Sequence, residues 1–195
     1  LSEHTGNKGT PVLVASDLTL SLAVSKNSKW VAVASPNSNE VFLQSLTDPK
    51  PEVVTIKPGD ELHEIAFSPD SRWLATTGGS QGIVMWNVQA SWDGSEPSKA
   101  FNLKADSSVF AVAFSHDGKL LAAGESDQTT IWDLSSRKSL DPILSQVGNI
   151  ISVNFSQDGK WLATGSTNGS VHVWDLAAAD KGQPFLRFDV NGQVL

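Results

Sequence analysis

Short apolar runs separated by turn residues recur along this chain, and none carries an i, i+3, i+4 stripe long enough for a helix. In the clearest stretch the runs are 150–155, 160–165 and 170–176, divided by Gln157-Asp158-Gly159-Lys160 and Thr167-Asn168-Gly169-Ser170. Asp-Gly and Asn-Gly are strong hairpin signals because these residues tolerate positive φ. Three antiparallel strands are therefore predicted, with a fourth at 183–189 after a polar linker. Matching segments at 53–56, 100–104 and 142–146 precede the equivalent stretches, so the unit is a four-stranded meander, strands a to d. In strand c, Val171, His172, Val173, Trp174 and Leu176 place bulk on both faces, which predicts a sheet covered on both sides.

The meander repeats. FSPDSRWLATTGGSQGIVMWNV from Phe67, FSHDGKLLAAGESDQTTIWDL from Phe114 and FSQDGKWLATGSTNGSVHVWDL from Phe155 align at once. A weaker copy starts at Val24, which takes the place of the Phe, with Trp30 and Val31 for Trp73 and Leu74 and Leu43 for the closing Trp. Meanders of about 43 residues, each covered by its neighbours, are what the blades of an all-β propeller require. The expected organisation is one array over residues 1–195, with blades at about 16–57, 58–105, 106–147 and 148–190. An apolar segment at 11–15 precedes the first strand a and reads as the outer strand of a further blade. Four blades then form an open arc of a larger propeller, whose end faces need the remaining blades or self-association to cover them.

Repeats with a Phe-Ser-x-Asp-Gly-Lys turn, a Leu-Ala-Thr-Gly strand and a closing Trp-Asp resemble WD-repeat β-propellers. Trp132-Asp133 and Trp174-Asp175 match the dipeptide, and Trp86-Asn87 comes close. The copies depart from the family at two places. The histidine nine residues before the Phe is replaced by Pro58, Ala105 and Gln146, and the tight-turn Asp is Ser80 or Asn168, with Asp127 the surviving candidate. The resemblance therefore implies that the buried His–Asp–Ser/Thr–Trp network is broken in every blade and that apolar packing replaces it. Such degenerate repeats resemble those of large prokaryotic signalling proteins, among them STAND-type ATPases and kinases.

Composition narrows the chemistry. Fourteen Lys and Arg against twenty-one Asp and Glu give a net charge of −7, and no cationic cluster is evident, so a nucleic-acid partner is not expected. No run approaches the roughly 18 apolar residues of a membrane span, so no membrane partner is expected either. The absence of cysteine removes thiol chemistry and fits a cytoplasmic protein, and the leading Leu1 reads as part of something longer. His4, His63, His116 and His172 share no metal-ligand spacing; His116 fills the variable turn slot held by Pro69 and Gln157 in its sisters and reads as solvent-facing. Asp70, Asp117 and Asp158 recur in every copy, which points to turn geometry, since an active site is needed only once. No catalytic, cofactor-binding or metal-binding residue is assigned.

The expected function is a non-catalytic interaction scaffold or sensor, one propeller of a multidomain signalling protein. Partners are expected on the end carrying the b-to-c and d-to-a loops, where Asp60, Glu61, Glu125, Asp127, Asn149 and Asn168 fall, with Trp92 in a longer loop at 89–100 as a peripheral anchor. Acidic rims favour a basic or neutral protein or peptide. The alternative is a propeller that gates or supports a catalytic domain, as in propeller peptidases or TolB-like envelope propellers, whose turns look similar.

Overall fold

The computed structural model describes residues 21–35, 39–47, 53–59, 61–79, 82–89, 97–178 and 182–190. The segment at 11–15, Asp60 and Trp92 lie outside them. Four meanders follow in chain order. The first is β1 (Ser21–Val24), β2 (Trp30–Ser35), β3 (Glu40–Ser45) and β4 (Val53–Ile56); the second is β5 (Glu64–Phe67), β6 (Trp73–Thr77), β7 (Ile83–Asn87) and β8 (Ser98–Leu103). The third begins with β9 (Ala111–Phe114), β10 (Leu120–Gly124) and β11 (Ser126–Asp133), and the fourth ends with β13 (Trp161–Ser166), β14 (Ser170–Asp175) and β15 (Leu186–Asp189). Between them runs β12 (Lys138–Phe155), which serves as outer strand of the third blade and inner strand of the fourth, so both form one seven-stranded sheet. All pairings are antiparallel.

One turn builds every blade. Ser25, Ser68, Ser115 and Ser156 each donate their hydroxyl to the Asn or Asp two residues on, at 2.7, 2.5, 2.7 and 2.6 Å. The same serine oxygens accept the N–H of Trp30, Trp73, Leu120 and Trp161, the first residues of the b strands. The Asn or Asp oxygen also accepts the N–H of Lys29, Arg72, Lys119 or Lys160. The fourth turn residue is left-handed in each copy, at Ser28 (φ 58°), Ser71 (58°), Gly118 (71°) and Gly159 (70°). Serine hydroxyls above all, and then backbone N–H groups, hold Asp117 and Asp158 below the usual carboxylate range.

This turn fixes the strand register, and the register corrects one alignment. Trp73 pairs with Asn87 and Leu74 with Trp86, whereas Trp30 pairs with Ser45 and Val31 with Gln44. Gln44, not Leu43, therefore stands in the tryptophan place of the first blade. A one-residue step changes the face: Leu43 joins Ala32, Ala34, Val41 and Ile56 in the buried layer against the second blade, where it meets Ile65, Leu74, Val84 and Trp86. The next layer gathers Ala75, Met85 and Leu103 with Val112, Leu121 and Trp132, and the third gathers Ala122, Ile131 and Leu144 with Leu162 and Trp174. Beyond these layers, Leu22 (62%) and Val24 (56%) on the first blade, and Leu186 and Phe188 on the last, are exposed.

Side chains also tie the inner strands together. A strand-a edge has no fifth strand to bond, so its N–H groups need partners from the preceding blade. Ser21 Oγ accepts the Ile65 N–H at 3.3 Å, and at the equivalent position Glu64 Oε2 accepts the Val112 N–H at 2.5 Å. Burial raises the Glu64 pKa to about 7, against the opposing effect of the Val112 hydrogen bond.

Two expectations follow. Gly159 has open space around the position of a Cβ, so Gly159→Ala tests backbone conformation alone and is expected to lower unfolding free energy by about 1 kcal/mol in urea titrations. For Glu64, the folded state holds its proton more tightly than the unfolded chain, so its ionisation erodes stability as pH rises from about 4.5 to about 7. Glu64→Gln keeps an acceptor for Val112 and removes the charge. It is expected to stabilise the fold at pH 8 by on the order of 2 kcal/mol and to have little effect at pH 4; equal effects at both pH values would disprove this account.

Candidate interaction surface

Antiparallel meanders place the b-to-c and d-to-a loops at one end of the blades and the a-to-b and c-to-d turns at the other. The first end carries the residues read as a partner surface. The second, third and fourth blades each tie the d-to-a loop before them to their own b-to-c turn, the second and third through the position eleven residues after the Phe landmark and the fourth through Gln146 and Asn149.

In the second blade that position is Gly78. A Cβ there would fall 1.4 Å from the carbonyl oxygen of Glu61, so only glycine lets the loop lie directly on the strand end. The Gly79 N–H bonds the same oxygen at 3.3 Å. Glu61 itself projects from the rim, with Oε1 3.6 Å from His63 Nε2. His63 Nδ1 donates to the Val109 carbonyl at 2.8 Å and its ring stacks on Phe110, so this histidine joins the second and third blades.

In the third blade the position is Glu125, and here the structure corrects the sequence reading. Glu125 is 0% exposed and belongs to no surface. Its Oε1 accepts the Thr130 hydroxyl at 2.6 Å; Oε2 accepts the backbone N–H groups of Asp106 (3.1 Å) and Ser107 (3.2 Å) and the Gln128 amide (3.2 Å). One carboxylate thus clamps the d-to-a loop to the turn. Charge-assisted hydrogen bonds of this kind are stronger than neutral ones, and several are needed to offset burial of the carboxylate.

In the fourth blade the position is Ser166, and a second correction follows. The buried network is present, with Gln146 in the place of histidine. Trp174 Nε1 donates to Thr164 Oγ1 at 2.9 Å, the Thr164 hydroxyl donates to Gln146 Oε1, and Gln146 Nε2 reaches Ser170 O (2.9 Å) and Ser170 Oγ (3.1 Å). Gln146 supplies both an acceptor and a donor, which a relay between a hydroxyl and the turn needs. A shorter form survives in the second blade, where Trp86 Nε1 donates to Thr76 Oγ1 at 3.1 Å. In the third blade Ala123 occupies the threonine position, and the Glu125 clamp holds the loop. His172 is buried beside Trp174 and packs edge-on at 5.4 Å; burial above all, and then nearby Arg187, lowers its pKa.

The remaining candidates among the described residues, Glu61, Asp127, Asn149 and Asn168, do reach the surface. Asp127 is left-handed (φ 60°) and its Oδ1 accepts the Gly148 N–H at 2.6 Å, linking the third blade's turn to the fourth blade's loop. Asn149 lies next along that loop, its N–H bonded to Thr167 Oγ1. Asn168 accepts from the Ser166 hydroxyl and the Ser170 N–H and shapes its own turn. Asp127, Asn149 and Asn168 are therefore brought to one rim between two blades, with Glu61 and the exposed Asp106 farther round.

The opposite end holds residues that sequence reasoning did not assemble. Lys26, Pro69, His116 and Gln157, the variable slots of the four a-to-b turns, all line one cavity of about 500 Å³. His116 is exposed, as expected of a turn slot, but it faces this cavity. The alignment of the copies contained the signal, because equivalent turn residues in successive blades must converge.

Four-stranded antiparallel meanders packed face to face, with their inner strands adjoining, define a β-propeller array. The family model described as WD domain, G-beta repeat matches residues 53–87, 97–133 and 141–175, more than half of the chain, and the chain belongs to that family. The first three strands of the blade carrying Gln44 for tryptophan precede the three matches, and its outer strand, β4, opens the first of them. Among curated proteins the chain is similar to the Small ribosomal subunit protein RACK1z of Arabidopsis thaliana, 33% identical over 79 residues, which is 40% of this chain and 22% of that protein. It is also similar to the protein of that name from Oryza sativa subsp. japonica, 29% identical over 89 residues, 46% of this chain and 25% of that protein. The matched stretches thus span about a quarter or less of the length of these relatives.

Removing a loop anchor is expected to cost more than removing a rim side chain. Glu125→Ala leaves several buried donors without an acceptor and should lower unfolding free energy by about 3 kcal/mol, and Gln146→Leu by about 2 kcal/mol. Asn149→Ala, on the exposed rim, should change it by less than about 0.5 kcal/mol. Urea unfolding followed by tryptophan fluorescence measures all three.

Proposed function

We propose that this chain is a non-catalytic docking scaffold that receives a basic or neutral polypeptide on its b-to-c end. The observation that carries the reading is the pairing of an acidic rim with rigidly anchored loops. Glu61, Asp106 and Asp127 are exposed there, while the backbone beneath them is fixed by Gly78, Glu125 and the Asp127–Gly148 bond. Of the two cations that follow the outer strands at this end, Lys57 is paired with Glu40 at 2.8 Å, and Lys104 stands beside Asp106 in the next loop. Preorganised loops reduce the entropy lost on binding, and an acidic field favours cationic partners over phosphate backbones.

The recurring aspartates support a structural assignment over catalysis, since Asp70, Asp117 and Asp158 each have an oxygen committed to their own turn. In this reading the scaffold operates in the cytoplasm as one part of a larger signalling polypeptide, with further blades covering the exposed faces around Leu22 and Phe188. The small ribosomal subunit named for the relatives is a narrower possibility for the assembly it joins. Similarity over about two repeats supports the repeat architecture more directly than it supports that assembly.

The test compares equal charge changes at different places. With a lysine- and arginine-rich peptide as probe in isothermal titration, Glu61→Lys and Asp106→Lys should each weaken binding about fivefold. Asp141→Lys, on the exposed outer strand, makes the same charge change away from the rim and should leave binding unchanged. Equal effects from all three variants would reduce the interaction to net charge and defeat the assignment.

A further inference from the structure

We propose that the cavity at the a-to-b end is a second binding site, and that its ligand is an extended peptide in which an aromatic or large aliphatic side chain is flanked by carboxylates. The floor is apolar: Phe67, Phe114 and Phe155, the last residues of three inner strands, meet there with Val24 of the fourth. At about 500 Å³ the space suits two or three peptide side chains, within the ordinary range for ligand pockets of roughly 300–1,000 Å³. Around this floor stand Lys26, His116, Asn154 and Gln157, which offer hydrogen-bond donors and one fixed positive charge.

Charge decides what fits. Among the described residues no carboxylate lines the cavity. Asp117 and Asp158, on neighbouring turns, each receive a serine hydroxyl and a backbone N–H and are approached by Lys119 (3.3 Å) and Lys160 (3.8 Å). The turn that brings Lys26 has Asn27 where the other three have Asp, and Asn27 makes the same turn bonds without a charge. Lys26 therefore projects a positive field that its own turn does not cancel, over an aromatic floor. A peptide carboxylate beside an apolar side chain answers both features. A nucleic-acid strand does not, because phosphate recognition relies on several cations and, among the described residues, a single lysine lines this cavity. The site lies opposite the acidic rim and selects ligands of opposite charge, so it stands or falls separately from the docking function proposed there.

The experiment is fluorescence anisotropy on the full chain with a fluorescein-labelled peptide of core sequence Asp-Phe-Asp-Leu-Glu. Saturable binding is expected, with at least about tenfold loss when Phe and Leu are replaced by Ser or when the acids are replaced by Lys. On the protein, Lys26→Glu should weaken binding about tenfold and His116→Glu about threefold, while Glu61→Lys leaves it unchanged. Lys26 and His116 are exposed, and circular dichroism confirms that the variants fold. The proposal is overturned if the acidic peptide shows no saturable binding, if its lysine counterpart or a single-stranded oligouridylate binds as well, or if Lys26→Glu folds normally and binds like the parent.

Discussion

The hydrogen-bond circuit of the a-to-b turn is the constraint on which the rest of this molecule depends. A serine hydroxyl gives its proton to an Asn or Asp two residues on and receives the first N–H of the next strand. The circuit leaves no freedom in where strand b begins, and antiparallel pairing then carries that register across the blade. Because side chains alternate between faces, the turn decides which residues enter each interblade layer. The apolar layers supply most of the burial, but they can form only when four turns have placed their residues on matching faces.

Much of this was legible in the sequence for a simple reason. Turn chemistry is local, and a local requirement repeated in four blades appears as aligned Ser-x-Asp/Asn stretches. The inner strands, the hairpins and the structural use of Asp70, Asp117 and Asp158 could all be read that way. Gln44 was not, because Leu43 is the more apolar neighbour and hydrophobicity favoured it; only pairing with Val31 shows which of the two shares a face with the tryptophans. Glu125 was assigned to the surface since a lone acidic residue in a turn ordinarily seeks water. Its backbone donors, Asp106 and Ser107, come from a loop some twenty residues earlier, and no local pattern announces them.

One shared position shows how a repeat tolerates divergence. Gly78, Glu125 and Ser166 have almost nothing chemically in common: Gly78 lets the loop lie on the strand end, Glu125 holds the loop's N–H groups, and Ser166 braces its own turn through Asn168 and Ser170 while Gln146 reaches across from the loop. Gln146 makes the same point from the other side, since an amide keeps the donor-and-acceptor character that the relay to Thr164 and Ser170 requires. Judged by residue identity alone, these positions look degraded. Judged by donors and acceptors, the second, third and fourth blades each keep a tie, and exchanging one residue without its partners would break it.

The joint between the third and fourth blades has a mechanical meaning. Repeat units in an array touch mainly their neighbours, so a joint resists separation by the contacts made across it. Here the chain ladders to β11 as far as Ser145, with Asn149 opposite Ser126, and to β13 from Ile150, while Gly148, at φ 91°, turns it between them. Hydrogen bonds then stitch the crossing: Asp127 Oδ1 accepts the Gly148 N–H, and the Glu125 carbonyl accepts the Ile150 N–H. Pulling the chain at this joint must break those bonds together with the apolar layer around Leu144 and Trp174, so the crossing loop carries load where a slack connection would only extend.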